Sequence, residues 1–337
     1  MNRLYVVETT PSNTGAIADH TWVVKPSEFE AIARAIGAAA TAQSTPAQSS
    51  LPWIDPLVRD LQQHRGASIV VAGENQPPFI HALGHAMNNA LGNVGKTVFY
   101  TDPLEVNPVD QRQSLQELIN DLEAGLVDLL VIIGGNPVHD TPVDLKLSPE
   151  RLNKVKKLRV HLSPYKDETS EWCHWHVPAA HYLESWGDTR SYDGTVTIMQ
   201  PLIEPLYEGK TAHELLAVFS TKYDRKPYEI VRTFWQSQRA SGNNQGQAQT
   251  ARAQTQPAGN QNNQQAPAPA PSPSPSQDFE TWWRKSIHDG YVENSAFPTK
   301  TVSLNSGWAN QQTQQAQQPA AGTFELVFRT DPSIYDG

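Results

Sequence analysis

The chain predicts an α/β fold: a doubly wound, mostly parallel sheet, incomplete at both ends, carrying a disordered Gln/Pro-rich insertion. Three observations predict it. Short apolar runs alternate with amphipathic helical stretches from Pro52 to Leu162, the order that builds parallel strands joined by right-handed crossovers. Those runs are nearly continuous in apolar residues, which suits strands covered on both faces. A tract of Gln, Asn, Pro, Ala and Ser from Gln236 to Gln277 cannot bury enough apolar area to offset the entropy of ordering.

The elements follow in order. Leu4-Tyr5-Val6-Val7 reads as a strand already in progress, and Thr21-Trp22-Val23-Val24 as a second. Phe29, Ile32, Ala33 and Ile36 fall at helix spacing, with Ser27 as N-cap, Glu30 three residues on, and Gly37 closing the helix. Ile54 to His64 is amphipathic, Ala67 to Gly73 is an apolar strand, and Pro78 to Leu91 is a helix. Thr97 to Tyr100 is the next strand, and Ser114 to Ala124 a helix capped by Ser114 with Glu117 three residues on. Leu126 to Ile133 is the clearest buried strand, ended by Gly134-Gly135-Asn136-Pro137, and Leu158 to Leu162 is another. Tyr192-Asp193-Gly194-Thr195 carries a turn signal followed by period-two alternation, a small extended hairpin or loop. His213 to Ser220 starts a helix, Phe279 to Ile287 is a short aromatic helix, and Thr323 to Phe328 alternates as a strand. Both ends read as cut.

Composition narrows the functions. The formal net charge is −9, against a nucleic-acid footprint, which needs clustered Lys and Arg. No apolar run approaches the ~18 residues of a membrane span, and no basic-then-apolar export signal opens the chain. Cys173 is the one cysteine, so neither an internal disulfide nor an iron–sulfur cluster that needs about four thiolates can form from this chain alone.

Each tempting motif carries a plainer alternative. Gly134-Gly135-Asn136-Pro137 can approach a phosphate or nucleotide, because glycine lets backbone come close; otherwise it is a tight strand-to-helix turn. His81 and His85 share a helix face at metal-pair spacing, but Ala82 stands where the zinc-protease motif has Glu. Cys173-His174-Trp175-His176 with His181 resembles a ligand cluster, yet an extended backbone sets Cys173 and Trp175 opposite His174 and His176. Asp167, Glu168 and Glu171 read as paired carboxylates or as loop caps. Ser170 has no nearby His in a nucleophile context, so hydrolase chemistry is not expected. Trp282 and Trp283 are expected to be exposed and to dock on a neighbour.

Three segments, in order, resemble the molybdopterin oxidoreductases of the dimethyl-sulfoxide-reductase type. The first is Val6-Val7-Glu8-Thr9-Thr10-Pro11 through Gly15 to Asp19-His20. The second is the buried strand with Gly134-Gly135-Asn136-Pro137, similar to the family's Gly-x-Asn-Pro loop. The third runs from Asp167-Glu168-Thr169 through Val177-Pro178, Leu183-Glu184 and Gly187-Asp188-Thr189 to Asp193-Gly194 and Gln200. The wording Glu171-Trp172-Cys173-His174-Trp175-His176-Val177-Pro178 with His181 to Asp188 resembles one branch, the large iron–sulfur subunit of alternative complex III, a quinol-oxidising respiratory assembly.

The resemblance implies that 1–37 end a first α/β domain, 38–51 are a linker and 52–165 form a Rossmann-like α/β domain. It further implies that 166–235 return to the first domain, 236–277 are a disordered linker, and 278–337 hold a short helix, a second polar linker and the start of a truncated C-terminal domain. It implies a periplasmic setting, other subunits of a membrane-bound complex as partners, and iron–sulfur clusters in a domain of the parent chain outside this one. It also implies vestigial cofactor positions at Gly134, Gly135, Asn136, Pro137, Glu184, Gly187, Asp193 and Gly194. The departures point to a scaffold with no cofactor of its own. The family's turn sets Arg after Asp-Pro, whose guanidinium fork suits paired anionic oxygens; here the turn is Glu8-Thr9-Thr10-Pro11-Ser12-Asn13. The family's guanine-reading Asp is Phe29 here, and its final Gly-Arg is Gly194-Thr195. Two alternatives remain: a fragment of a catalytic bis-molybdopterin oxidoreductase whose metal ligand lies outside this chain, and a generic nucleotide-binding module.

Overall fold

The computed structural model describes residues 2–41, 51–253, 275–305, 307–308, 322 and 324–328. The chain divides into two compact units, one running to Asp102 and resuming at Pro298, the other Pro103–Phe297. Both mix helices with small sheets.

The first unit opens with strand β1 (Tyr5–Glu8), the short helix α1 (Asn13–Ala16) and strand β2 (His20–Val23), the two strands pairing in parallel. Helices α2 (Phe29–Thr41), α3 (Ile54–Gln63) and α4 (Pro78–Ala90) follow. Ile54, Leu57 and Val58 of α3 pack with Ala39, and Phe79, Ile80, Leu83 and Met87 of α4 with Ala40, so the helical spacing read from sequence is the core of this unit. Gly37 does not end α2. It lies inside the helix, where an added Cβ would stand 2.6 Å from Leu83 Cδ1, so glycine serves close packing against α4. Ser27 belongs to a 3-10 turn, and its N–H and hydroxyl both donate to the Glu325 carboxylate at 2.8 Å.

Two expected strands of this unit form no ladder. Ala67 to Gly73 belongs to no strand, with Ile69 and Val71 exposed. Side chains take the place of a neighbouring strand: Asn88 accepts from Val70 N at 2.9 Å and donates to Val70 O at 2.7 Å. Near Thr97 to Tyr100 the pairing is limited to isolated bridges, Val94 with Val98 and Tyr100 with Lys300. Residues 324–328 are likewise irregular.

The second unit contains α5 (Gln111–Glu123), β3 (Leu129–Ile133), α6 (Pro137–Asp140), α7 (Pro149–Leu152), β4 (Leu158–Ser163), α8 (Glu168–Glu171) and β5 (Trp175–Pro178). It continues with β6 (Gly187–Arg190), β7 (Val196–Met199), α9 (Ala212–Ala217), α10 (Pro227–Ala253), α11 (Pro275–Asp289) and β8 (Tyr291–Val292). β3, β4 and β5 form a parallel sheet, and β6, β7 and β8 an antiparallel one. Within the parallel sheet β4 is largely buried, whereas β3, which its apolar run predicts to be the clearest buried strand, is only partly covered, with Leu126, Leu129 and Ile133 exposed. Leu130 packs among Leu122, Leu147, Leu152 and Val155, while Val131, Val160 and Leu162 pack with Leu215 of α9. The cap of α5 is Asp110, not Ser114: its carboxylate accepts from Gln113 N at 2.8 Å, and an Asp one turn earlier satisfies a free N–H of the first turn before Ser114 is reached.

The Tyr192–Ile198 hairpin is present. Its inward residues Val196 and Ile198 pack with Val231, Trp235, Phe279, Trp283 and Val292. The expectation of an exposed Trp283 is therefore corrected. The residue is 1% exposed, because β7, β8 and α10 of its own unit cover the apolar face of α11; Trp282 packs beside it. The helix α10 continues to Ala253, into the stretch that composition assigns to a linker. Residues 254–274 of that tract, and all of 310–321, lie outside the described residues, as do 42–50 of the first linker, whose residues 38–41 finish α2; α11 itself starts at Pro275, inside the tract.

Candidate functional site

The three segments that carry the resemblance each form a built turn. In the first unit, Glu8 ends β1 and is 8% exposed. Its Oε2 accepts from Ser12 N at 3.2 Å and Ser12 Oγ at 2.7 Å, and Ser12 in turn caps α1 by accepting from Gly15 N at 3.1 Å. A Cβ on Gly15 would fall 1.9 Å from Glu8 Oε1. The carboxylate thus fills the turn it closes, and Gly15 is what gives it room. Sequence reasoning noted the acid here but not its inward direction.

In the second unit, β3 runs into Gly134 and Gly135 at φ +69° and +65°, with nothing within 4 Å of an ideal Cβ at either. Glycine is needed here for the left-handed backbone rather than for contact. Asn136 follows at 2% exposure. Its Oδ1 accepts from Thr169 N at 3.2 Å and Thr169 Oγ1 at 2.7 Å, and its Nδ2 donates to Glu168 Oε2 at 2.6 Å. Thr169 Oγ1 also accepts from Val138 N at 3.0 Å, and Pro137 starts α6. The Asn136 turn is therefore clamped to the start of α8. The Glu168 carboxyl is held below its usual range, chiefly by the Asn136 side chain.

Asp167 caps α8 through Ser170 N at 2.8 Å, as expected of a loop cap. The expectation for Ser170 is corrected. Its Oγ lies 2.9 Å from His161 Nδ1, 3.0 Å from His176 Nδ1 and 3.0 Å from Asp167 Oδ1. The register explains the meeting: His161 of β4 stands directly across from His176 of β5, and both face α8, whereas Val160 and Leu162 face Leu215 on the other side. The signal lay in Leu158-Arg159-Val160-His161-Leu162, where one imidazole interrupts a buried strand. The trio does not make a nucleophile. Ser170 is 4% and His161 0% exposed, both imidazoles approach through the same kind of nitrogen, and His161 Nε2 is already at 3.0 Å from Gly135 O. Burial and the neighbouring His161 push the His176 imidazole below its ordinary range.

The other cysteine–histidine positions disperse. His174 Nδ1 accepts from Arg159 N at 3.0 Å, and His181 stacks near Tyr182 with ring centroids 4.2 Å apart. Burial raises the Cys173 thiol, which disfavours the thiolate a metal requires. Trp172 and Trp175 are exposed. His85 Nδ1 meets the Tyr100 hydroxyl at 2.9 Å. Among the described residues, no group of three or more His, Cys, Asp or Glu side chains is arranged to hold a metal ion, and no helix is long and apolar enough to cross a membrane.

The third segment is the β6–β7 hairpin with its approach. Glu184 accepts from His181 N at 3.1 Å and Leu206 N at 3.4 Å. Gly187 is buried, and a Cβ there would sit 2.6 Å from Met199 Cε. Asp193 accepts from Ser191 Oγ, from Thr195 N at 2.9 Å and from Thr195 Oγ1 at 3.0 Å, and these donors hold its carboxyl low, that of Ser191 first. Gly194 has φ +87°, and its hydrogens face the ring of Phe297, 2.5 Å from where a Cβ would be. The turn is closed by Phe297 N donating to Asp193 O at 2.7 Å. The eight positions that the resemblance marks thus fall into two groups, one around Asn136 beside the parallel sheet and one around Asp193 at the antiparallel sheet. No protein-family model matches the chain, and no curated protein matches it.

Proposed function

We propose that this chain is a cofactor-free, molybdopterin-oxidoreductase-like scaffold module of a respiratory electron-transfer subunit, of the quinol-oxidising alternative complex III type. It works by packing rather than by chemistry of its own. In this reading it lies in the periplasm, reaches the membrane through partner subunits, and adjoins an iron–sulfur domain of the same parent chain. The doubly wound, Rossmann-like layering that the resemblance implies is part of the same proposal.

The observation that carries it is Asn136. A loop that reads a nucleotide must present unspent donors and acceptors toward the ligand, because an unpaired buried polar group costs about 1–3 kcal/mol. Here the carboxamide faces inward: Oδ1 takes two hydrogen bonds from Thr169 and Nδ2 serves Glu168. Glu8 is spent on one oxygen only: Oε2 serves Ser12 while the buried Oε1 has no hydrogen-bond partner, so the chain sets an anion at the helix start where the family places a base for a bound anion. As they stand, these residues do not suit a pterin dinucleotide. Fold and site are separable, and the turns are kept here by contacts within the chain.

The test is molybdenum, tungsten and pterin content of the native complex containing this chain. Sub-stoichiometric metal and no released pterin fluorescence are expected. One pterin dinucleotide per chain would overturn the proposal and favour a catalytic parent enzyme.

A further inference from the structure

We propose that the cluster around the Ser170 hydroxyl is a single-proton binding site that ties α8 to the β3–α6 turn more firmly when it is loaded. The proposal rests on a donor count. Ser170 Oγ touches His161 Nδ1, His176 Nδ1 and Asp167 Oδ1, all within 3.0 Å, and it has one proton to give. His161 Nε2 faces the Gly135 carbonyl at 3.0 Å, so that nitrogen carries a hydrogen and, in the neutral ring, Nδ1 is an acceptor. The serine then donates to His161, His176 donates from Nδ1 to the serine, and Asp167 Oδ1 is left against a hydroxyl that offers it nothing.

One added proton repairs all three of these contacts and leaves without a proton only the longer approach of Ser170 Oγ to Tyr165 O, at 3.5 Å. It bonds to His161 Nδ1, which then donates to Ser170 Oγ; the serine O–H rotates to Asp167 Oδ1; no bond breaks, and the cluster gains one positive charge. Asp167 Oδ1 lies 3.5 Å from His161 Nδ1 and supplies the counter-charge. Opposite charges at this spacing favour the charged form. Asp167 and Ser170 are the first cap pair of α8, and α8 holds the Asn136 turn through Glu168 and Thr169, so the proton acts on the clamp itself.

The surroundings permit one charge and oppose a second. From β4 come His161 and Arg159, the latter donating to Trp172 O and Leu152 O. From β5 comes His176, with His174 just before it engaged by Arg159 N. From α8 and its approach come Lys166, Asp167, Glu168 and Glu171, and from α6 His139 and Asp140. Cys173, beside α8, senses Arg159 and Asp167. β3 contributes only Leu, Val and Ile. A second proton, on His176, meets both the loaded His161 and Lys166.

The test is a histidine 15N titration of the intact chain from about pH 8 to pH 5, with the ring nitrogens resolved by long-range proton–nitrogen spectra. His161 Nδ1 should change from an unprotonated to a protonated nitrogen shift while Nε2 stays protonated, in a step separate from that of His176. In Asp167→Asn the His161 midpoint should fall by about one pH unit or more, roughly tenfold in proton affinity. A His161 ring that stays neutral across the range in folded wild-type protein overturns the proposal, and this arm needs no variant. So does an unchanged midpoint in folded Asp167→Asn.

Discussion

Replacing Asn136 with Ala distinguishes a structural clamp from a ligand-reading loop. The side chain supplies the acceptor for two hydrogens of Thr169, which is fully buried. Ala leaves that N–H and hydroxyl without partners, at about 1–3 kcal/mol each. Water entering the vacated space would recover part of this, which brings the sum to about 2–5 kcal/mol. The lost bond to Glu168 adds little, because that carboxylate is exposed. For a unit of this size each kcal/mol lowers the midpoint by about 2–4 °C, so the expected drop is roughly 4–20 °C. Thermal unfolding followed by circular dichroism reads the drop, and amide exchange at Thr169 reads its place. Asn136→Asp is the companion variant. It keeps the acceptor for Thr169 but sets an oxygen against Glu168 Oε2, so its loss should shrink on acidification, as protonation of either carboxyl removes the repulsion. A change below about 0.5 kcal/mol for Asn136→Ala, with Thr169 exchange unaltered, is what a surface position gives. That result would refute the clamp and return Asn136 to the list of ligand contacts.

Gly15→Ala should destabilise the first unit, because its Cβ would overlap Glu8 Oε1. Glu8→Ala added to it should restore part of the loss, read as non-additive urea midpoints; additivity would mean the two do not meet. Trp283→Ala should cost about 3–5 kcal/mol, as for other buried aromatics, and destabilisation under about 1 kcal/mol in urea unfolding would restore Trp283 as a docking residue. His176 has a lowered folded pKa, with burial first and His161 second among the causes. Its contribution to stability is therefore present above the unfolded pKa of about 6.5 and is lost as pH falls through the folded value. His176→Gln retains an N–H for Ser170 and cannot charge, so its stability should fall less than wild type below about pH 6.5; superimposable profiles would remove His176 from the acid response.

What the sequence made legible was decided by burial. Helices α2, α3 and α4 follow from the spacing of Ile32, Ile54, Leu57, Phe79 and Leu83, since each residue is both helix-periodic and core. β4 follows for the same reason, whereas β3 forms where its apolar run predicts but is only partly covered, with Leu129 and Ile133 exposed. The runs Ala67 to Gly73 and Thr97 to Tyr100 have the same composition but no ladder, because an apolar run states that a strand is possible and says nothing about its neighbour. Asn88, whose carboxamide serves both the N–H and the C=O of Val70, is the residue that gave no sequence cue. Trp283 was misplaced by a related gap: an amphipathic helix declares an apolar face, and what covers that face is a long-range matter, here the hairpin almost a hundred residues earlier.

The candidate site divides along the same line. That the first turn holds no Arg and that position 29 is Phe rather than Asp is read directly, because each is a residue identity. What replaced it could not, because it depends on direction. Asn136 looks the same in sequence whether its carboxamide faces a ligand or Thr169, and His161 looks like one polar residue in a strand until β5 brings His176 beside it. A buried loop, with or without a ligand, has backbone N–H groups to satisfy, and its conformation persists only if something accepts from them. Thr169 for Val138 N, and Ser12 with Glu8 for Gly15 N and Ser12 N, fill that role here, while Glu168 holds the Asn136 side chain, so the residues to vary in testing the scaffold reading are these partners rather than the glycines that first attract attention.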